Sequence, residues 1–522
     1  MFRRIGECSV EGMNMEKSFS IPISRRAFMK LVGMGTVGML AETAMPSGKA
    51  AAAPAGVNGE GLPTLLTADV CVVGGGAAGT AAAICAARAG AKVVLVERGI
   101  SLGGLATQGC VFPCMPTYAF DSDTPYIKEL NKRIEMKTGF SPVPNLPETD
   151  THYGEGMGAY TPELLTEVYD EWCEETGATI LYDAALVGAV VDAGTITACV
   201  VQTVEGLGKI QAKTFIEATG DALLSRFAGV PTEKGSETNG RNQPMSLRFE
   251  MGGIDVPKVY HFFHDKLKDT WLEENWSKKF KEDVKKGRDP FWEFAKWKKT
   301  ENVFREGVKK GELTEDDVLY IQAFSVPGKP HTMSMNCPEM PPLMFSATDA
   351  VSRSKAVSFG RKMMRRLAVY FKGNIPGFEK AYISREASMV GVRESWRIRG
   401  KYYMEANDYL QARHFPDAVC RTAYPIDIHD VKLDFFEKLK KGQYYEIPYL
   451  ALVTNKLSNL LVAGRCASGS FDAQASFRIQ PTCMSMGEAA GIAAAWGLSR
   501  NIPVNEVKWE DIPAEKRSYV SQ

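Results

Sequence analysis

The chain has 522 residues, of which 45% are apolar and 24% are charged, as in a globular protein of two or three domains. Its 62 basic and 62 acidic residues balance, so it lacks the positive field that nucleic-acid binding requires. Its 11 cysteines contain no CxxC pair. Because zinc and iron–sulfur sites draw on closely spaced cysteines, we expect buried free thiols and no metal site.

The first 53 residues have the layout of a signal peptide. Ser24–Lys30 carries a pair of arginines and precedes an apolar run, Leu31–Ala41, and the small residues Ala50–Ala53. The apolar run is short and contains glycines, so it is a poor membrane span. The S-R-R-x-F-M-K pattern resembles a twin-arginine signal. That resemblance implies export in the folded state to the periplasm or another extracytoplasmic space, with no membrane span after the signal is removed.

The next motif predicts a dinucleotide site. A buried strand, Ala68–Val73, leads into the G-x-G-x-x-G loop Gly74–Gly79, the helix Thr80–Ala89 and a second strand, Lys92–Val96, which ends at Glu97. The glycines allow a tight turn and a close approach of the backbone to a pyrophosphate, which the helix N-terminus favours. Glu97 can accept hydrogen bonds from a ribose diol and disfavours a 2′-phosphate. The unit therefore favours NAD or FAD over NADP.

Three downstream segments favour FAD. Leu102–Thr107 holds a second glycine pair, Ala212–Asp221 ends in an Ala-Thr-Gly turn, and Asn459–Arg465 ends in Ala-Gly before a predicted helix, Pro481–Trp496. These segments resemble the FAD contacts of glutathione-reductase-like flavoproteins. The amino end of the last helix would face the flavin C2 carbonyl and stabilise charge on the reduced ring.

From about residue 67 to 500 the chain resembles the FAD-dependent oxidoreductase family of glutathione-reductase-like flavoproteins, which is related to the flavin subunit of heterodisulfide reductase and is often labelled xanthan-lyase-like. The resemblance is carried by Gly103–Gly109, Glu217–Ala222, Gly391–Gly400, Ala463–Ser468 and Ser476–Cys483. One departure is Phe471, where members often carry a histidine. Motif and resemblance together predict FAD contacts at Gly74, Gly76, Ala77, Ala78, Gly79, Glu97, Arg98, Gly103, Gly104, Leu105, Ala106, Thr107, Val187, Thr219, Gly220, Asp221, Gly464, Arg465, Gln480, Pro481 and Thr482.

The predicted fold class is α/β, with an α+β substrate domain inserted into a Rossmann-like FAD-binding domain of parallel strands flanked by helices. A helix is expected at Pro162–Thr176, with strands at Thr179–Tyr182 and Gly188–Val201. The tryptophan-rich stretch 265–312 fits amphipathic helices or a docking surface for an electron-transfer partner. The boundaries are 66–125, 155–235 and 450–505 for the FAD-binding domain, and 126–154 and 236–449 for the substrate domain.

Most candidate catalytic residues lie in the predicted substrate region. Arg393, Arg397 and Arg399 could clamp an anionic substrate or the FAD pyrophosphate, or could form an ion-pair ladder with Glu394. Arg478 precedes the flavin-facing helix and could bind substrate or stabilise charge on the flavin. A proton-transfer group is also needed near the flavin. The candidates are His331 and His429, with Tyr424 and Tyr449 as weaker ones.

These features predict an exported flavoenzyme that moves a hydride between flavin N5 and a small organic substrate. Because NAD(P)H is scarce outside the cytoplasm, electrons would be exchanged with a cytochrome, a quinone or a small redox protein. Two alternatives remain open at this point. One is a lyase or isomerase that uses flavin redox chemistry only transiently, and the other is an electron-transfer subunit with no small-molecule substrate.

Overall fold

The computed structural model describes residues 55–139, 160–264, 266, 281, 285, 291–296, 299–429 and 439–521. The predicted signal peptide and much of the tryptophan-rich stretch lie outside these residues. No helix in the described part is long and apolar enough to cross a bilayer. All ten cysteines found there are buried and free, which confirms the prediction for these thiols.

The larger sheet has seven strands, in the order β3-β2-β1-β6-β5-β4, with β18 also paired to β6. Strands β3, β2, β1, β6 and β18 are parallel, whereas β4 and β5 form an antiparallel extension. Every residue of β2 is buried, as expected for a parallel strand covered on both faces. Its strands are β1 (Thr64–Val73), β2 (Val93–Val96), β3 (Thr179–Leu181), β4 (Ala185–Asp192), β5 (Thr195–Thr203), β6 (Gly206–Glu217) and β18 (Leu460–Val462).

A second, antiparallel sheet has the strand order β10-β11-β12-β9-β13. It belongs to a separate apolar core, drawn mainly from residues 245–392. The fold is therefore α/β with a second α+β part, as predicted. The remaining strands are β7 (Thr232–Lys234), β8 (Met245–Ser246), β9 (Phe249–Gly252), β10 (Glu293–Ala295), β11 (Gln322–Ser325), β12 (Met333–Met335), β13 (Tyr382–Glu386), β14 (Gly391–Val392), β15 (Trp396–Ile398), β16 (Ala418–Thr422) and β17 (Tyr445–Pro448).

The helix predicted at residues 162–176 is present with the same bounds, as α3. The helix predicted at residues 481–496 is present as α10 and is longer at both ends, because it spans residues 480–500. The sequence also predicted one extended segment at 188–201, but the structure has a hairpin whose turn at Ala193 and Gly194 separates β4 from β5. The helices are α1 (Ala77–Arg88), α2 (Pro125–Thr138), α3 (Pro162–Thr176), α4 (Leu223–Phe227), α5 (Val256–His264), α6 (Glu301–Lys309), α7 (Ala350–Asn374), α8 (Ala406–Leu410), α9 (Phe471–Phe477) and α10 (Gln480–Arg500).

Helices α1 and α10 lie against each other in parallel. A Cβ atom built on Gly487 would lie 2.0 Å from the Ala78 carbonyl oxygen, and one on Gly491 would lie 2.4 Å from the Ala82 carbonyl oxygen. Only glycine permits this backbone contact. Because both helices begin beside the predicted FAD site, their contact fixes the relative position of its two ends.

The predicted domain boundaries need correction in two places. Helix α2 was assigned to the substrate domain, yet its Tyr126 ring stacks on Trp172 of α3 at 4.7 Å and joins the core of the larger sheet. Met404, Val419 and Tyr445 also belong to that core. The apolar face of α2 is buried by α3 and α10, so local pattern alone could not tell which layer would cover it.

Candidate functional site

The G-x-G-x-x-G loop leaves an opening at its second glycine. A Cβ atom on Gly79 would lie 1.7 Å from the Gly74 carbonyl oxygen, so that glycine is needed for packing. A Cβ atom on Gly76 would meet no atom within 4 Å. This space lies beside Ala77 and Ala78, at the start of α1, where free N–H groups can bind a pyrophosphate.

Glu97 holds the loop in place. One carboxylate oxygen accepts from Gly75 N at 2.8 Å and the other accepts from Gly99 N at 2.7 Å. The neighbouring Arg98 is exposed, and its charge is close enough to Asp221 to help lower the pKa of that carboxyl. The hydrogen bonds between Glu97 and a ribose diol remain a prediction.

The second glycine pair lies alongside the first loop. Gly103 N donates to Gly75 O at 2.7 Å, and Gly103 pairs with Gly76 in an isolated parallel bridge. The turn Gly104–Ala106, which includes Leu105, follows directly, and Thr107 Oγ1 donates to Leu102 O at 2.5 Å. The structure thus brings together two segments that the sequence assigned to one cofactor.

The turn after β6 carries a charged pair. Asp221 lies 3.5 Å from Arg465 and 3.4 Å from Arg353, and it accepts from Ser395 Oγ at 2.7 Å. Burial raises the pKa of Asp221, but Arg465 and Arg353 lower it more, so the net shift is downward. The turn also includes Thr219 and Gly220, and Gly464 lies beside Ala78.

Val187 lies in β4, and its contact with the adenine stays a prediction. It lies at an irregularity in the β4–β5 register, and its carbonyl oxygen already accepts from Val57 N at 2.9 Å. That oxygen is therefore engaged in the structure, although the sequence placed Val187 beside the adenine.

The start of α10 faces the segment that follows the second glycine pair. Gln480 Nε2 donates to Val111 O at 2.9 Å. Pro481 lies in the first turn, and Ile479 at the N-cap makes no side-chain capping bond. The first N–H groups of α10 are therefore available to an acceptor such as a flavin carbonyl.

Three buried polar atoms around this site make no hydrogen bond within the described structure: Arg465 Nη1, Gln480 Oε1 and Thr482 Oγ1. Buried polar atoms are normally satisfied, so these atoms leave hydrogen-bonding positions open to a ligand. A guanidinium donor, an amide oxygen and a hydroxyl suit the phosphates and ring edge of a flavin nucleotide. Together with the opening at Gly76, these residues fit FAD.

A buried cluster of charges surrounds His429. Its Nδ1 lies 3.0 Å from Glu339, and its Nε2 lies 3.2 Å from Asp427. Arg393 pairs with Glu339 at 2.9 Å, and Arg478 pairs with Asp427 at 2.9 Å. The structure therefore brings together three of the four predicted catalytic residues, which are far apart in the sequence.

The cluster keeps its groups charged. Burial and Arg393 lower the pKa of His429, but Asp427 and Glu339 raise it more, so the net shift is upward. Burial raises the pKa of Asp427, but His429, Arg478 and Arg393 lower it more, and the net shift is downward. The pKa of Glu339 is also lowered on balance, because Arg393 and His429 outweigh burial. His429 thus lies between two carboxylates that favour its protonated form.

Arg248 and Arg478 link the cluster to the predicted flavin position. Arg248 donates to Phe112 O at 2.7 Å, next to the Val111 carbonyl that Gln480 contacts. Burial and the nearby Arg393 lower the pKa of Arg248 to about 10, which leaves it charged at neutral pH. Arg478 lies two residues before Gln480. The cluster therefore adjoins both segments expected to flank the flavin ring.

The cluster has an excess of positive charge and of donors. Three guanidiniums and the imidazole face two carboxylates. Arg478 Nε and Gln243 Nε2 are buried and make no hydrogen bond within the described residues. Gln243 adjoins His429, whose backbone N–H donates to Gln243 Oε1 at 3.5 Å. Unused donors in a positive environment are suited to an anion.

The other predicted residues lie elsewhere. Arg397 is buried and bonded to Glu394 and to Gly469 O, so it has the structural role that was the alternative to a clamp. Arg399 is exposed and pairs with Glu233. His331 lies on an exposed turn, where Nδ1 contacts Ile254 O. It makes no described contact with the charged cluster, because the turn before β12 carries it to the surface.

The sequence did not identify Glu339, Asp427, Arg248 or Gln243. A signal existed for Asp427, because residues two apart in an extended segment share a face and Asp427 precedes His429 by two. Tyr424, which was predicted as a weaker candidate, donates to Asp427 at 3.2 Å. In the described part of the chain, no group of three or more His, Cys, Asp or Glu side chains is arranged so that it could hold a metal ion.

Comparison with protein families gives one match. The profile of the FAD dependent oxidoreductase family matches residues 69–515, which is most of the chain. No curated protein matches the sequence significantly.

Several solved structures match most of this chain at low identity. A geranylgeranyl bacteriochlorophyll reductase-like protein from Thermoplasma acidophilum has 14% identity and a TM-score of 0.40, with 87% of this chain and 84% of that chain covered. The p-nitrophenol 4-monooxygenase of Pseudomonas putida has 12% identity and a TM-score of 0.44, with 86% and 84% covered. The L-proline dehydrogenase of P. horikoshii has 14% identity and a TM-score of 0.39, with 86% and 97% covered.

Proposed function

Because this chain belongs to the FAD-dependent oxidoreductase family, and is therefore an enzyme with FAD as its cofactor, we propose that it transfers a hydride between the flavin and a small organic anion. The observation that carries this proposal is the charged cluster of Arg393, Arg478, His429 and Arg248. Two buried donors there, Arg478 Nε and the Nε2 of the adjoining Gln243, have no acceptor within the described residues. When bound, FAD supplies a ring that accepts or donates a hydride at N5.

The residues of the cluster divide into two roles. Arg393 and Arg478 bind the anionic group of the substrate and orient its reacting carbon, because guanidinium donors match carboxylate geometry. His429 holds the proton that must enter or leave the substrate together with the hydride. Both of its ring nitrogens face carboxylates, so Asp427 and Glu339 are positioned to keep that proton inside the cluster.

We further propose that the protein is exported folded, with FAD already bound, by the twin-arginine route. The pattern at residues 24–30 supports this proposal. An extracytoplasmic location favours a cytochrome, a quinone or a small redox protein over NAD(P)H as the electron partner. We also propose the closer kinship to glutathione-reductase-like flavoproteins and heterodisulfide reductase. It is supported by the way Gly103 lies alongside Gly76.

An anaerobic assay tests the central proposal. The purified protein is photoreduced, and unsaturated or 2-oxo carboxylic acids are added, each beside its neutral methyl ester. Oxidised protein is mixed with hydroxy acids and their esters in the same way. We expect the acids to change the visible flavin absorbance at least tenfold faster than the esters, because only the acids can bind the guanidiniums.

Variants test whether the charged cluster causes the preference for acids over esters. R393Q and R478Q should each slow the reaction by about tenfold to a hundredfold, since a hydrogen bond to a charged group contributes about 1.5–3 kcal/mol. R399Q is the matched control, because Arg399 lies in the same segment but its side chain is 59% exposed. Equal rates for acids and esters would refute the anionic substrate. Turnover without net flavin reduction would indicate a lyase or isomerase, and reaction only with a cytochrome would indicate an electron carrier.

A further inference from the structure

Helix α7 carries an exposed stripe of cations. Its 25 residues include seven lysines and arginines and no acidic residue. The opposite face, which includes Met364, Leu367 and Phe371, is buried in the second core. The helix is therefore held firmly with one face in solvent. Residues that recur every three or four positions line that exposed face: Val351, Lys355, Ser358, Lys362, Arg365, Val369 and Lys372.

The cations of this stripe are not neutralised. Arg361 pairs with Glu386 and Arg366 with Asp317, but both lie beside the stripe and not on it. Within the described residues, none of the lysines and arginines on the stripe itself forms an ion pair. Such side chains are normally scattered among acidic ones, so a row of cations with no acidic residue in it marks a surface that attracts negative charge.

Apolar side chains accompany the first half of the stripe. Leu343 and Met344, in the loop before α7, are 58% and 56% exposed, and Val351 is 63% exposed. A groove of about 430 Å³ joins this loop to the helix. Its walls combine two aromatic rings, Phe345 and Phe359, with the ammonium groups of Lys355 and Lys362.

We propose that the stripe and its adjoining loop bind the surface of an anionic phospholipid bilayer. Exposed large apolar side chains next to a row of cations are the arrangement by which peripheral proteins lie on a membrane. The cations attract the lipid phosphates, and Leu343 and Met344 enter the boundary between headgroups and acyl chains. An acidic protein surface would match the cations, but it gives no reason for two exposed apolar side chains at a loop tip.

The amino end of α7 contacts the predicted cofactor site. Arg353, near its amino end, pairs with Asp221 of the cofactor site at 3.4 Å. A membrane bound along α7 would therefore adjoin the part of the molecule that holds FAD. The proposal stands without the anionic substrate, because none of the stripe residues belongs to the cluster around His429.

Sedimentation with vesicles tests the proposal on the full-length, FAD-loaded protein. We expect binding to phosphatidylcholine vesicles that contain phosphatidylglycerol, little binding to pure phosphatidylcholine, and release by salt. Each basic residue near an anionic surface contributes a factor of roughly five in affinity. The variant K355E/K362E/R365E should therefore lose at least tenfold, and L343S/M344S should lose binding that salt does not remove.

The control variant K132E/K441E/K508E makes the same charge change at three other exposed lysines. All variants share the basic residues at the amino terminus, so a difference between them reports on the stripe. Unchanged flavin content and circular dichroism establish that each variant is folded. Absence of binding by the unmodified protein, or an equal loss in the control variant, would overturn the proposal. The proposal would also be overturned if the stripe variant bound vesicles normally and lost only the capture of an acidic redox protein.

Discussion

Replacing Asp427 with asparagine should lower the pKa of His429. In the native cluster Asp427 lies 3.2 Å from the imidazole and Glu339 lies 3.0 Å from it. At an effective dielectric constant of about 20, Coulomb's law gives about 5 kcal/mol for unit charges 3.2 Å apart, which is an upper bound on the effect. Close opposite charges commonly shift a pKa by about 1–3 units. We therefore expect D427N to lower the pKa of His429 by about 1–3 units.

The variant E339Q is the matched perturbation on the other ring nitrogen, and it should act in the same direction. In D427N/E339Q only burial and Arg393 remain, and both lower the pKa of His429. Its pKa should then fall below the ordinary value of about 6.5.

This change reverses the pH dependence of stability. In the native protein the raised pKa of His429 contributes stability that is fully present below about pH 6.5 and is lost as pH rises through the folded-state pKa. In D427N/E339Q the contribution of His429 is present above about pH 6.5 and is lost as pH falls.

The assay is an NMR titration of protein labelled with ¹³C at histidine Cε1, with H429Q used to assign the signal among the six histidines. Denaturant unfolding at several pH values measures the accompanying change in stability. A pKa for His429 that stays the same or rises in D427N would refute the arrangement of a protonated imidazole between two carboxylates.

Three further predictions follow from the cofactor site and the core. G76A should fold normally, because its Cβ meets only open space in the protein, but it should bind FAD at least tenfold more weakly, because that space is the predicted pyrophosphate position. G79A, whose Cβ would lie 1.7 Å from Gly74 O, should lose both stability and flavin. Thermal unfolding of G487A should show a lower Tm together with loss of flavin, since the new Cβ would lie 2.0 Å from the Ala78 carbonyl oxygen; an unchanged Tm would contradict the close helix contact. R397M should lower the free energy of unfolding by about 3–5 kcal/mol, because it leaves Glu394 as an unpaired buried charge, and E394Q should restore part of that loss in the double variant; strictly additive effects would show that the two side chains do not interact.

The dinucleotide unit and helix α3 could be predicted from sequence because local features specify them. The glycine spacing requires a particular turn, and the apolar spacing of residues 162–176 matches one helical face. The glycine pair at Gly103 could also be assigned to the same cofactor, because its family pattern is local.

The charged cluster could not be predicted completely because its members come from different parts of the chain. Glu339 lies 90 positions before His429, and nothing near it in the sequence marks it as a partner. For Arg397 the sequence suggested a functional role that the structure does not support. It lies in an arginine-rich segment that suggested ligand binding, but burial of Glu394 beside it makes the pair structural. Whether a charged side chain faces a ligand or another side chain depends on packing that local sequence does not contain.

The glycine contact between α1 and α10 sets the dimensions of the cofactor site. Gln480 lies seven residues before Gly487, so the amino end of α10 extends about 10 Å beyond its contact with Ala78 near the start of α1. If the pyrophosphate and the flavin ring bind where the sequence predicts, both lie on one rigid framework with a constant spacing. Changes in the second sheet can alter which substrate meets the flavin without altering how far the cofactor is stretched. A single methyl group at Gly487 would change that spacing, so its effect should extend to the reduction potential of the flavin.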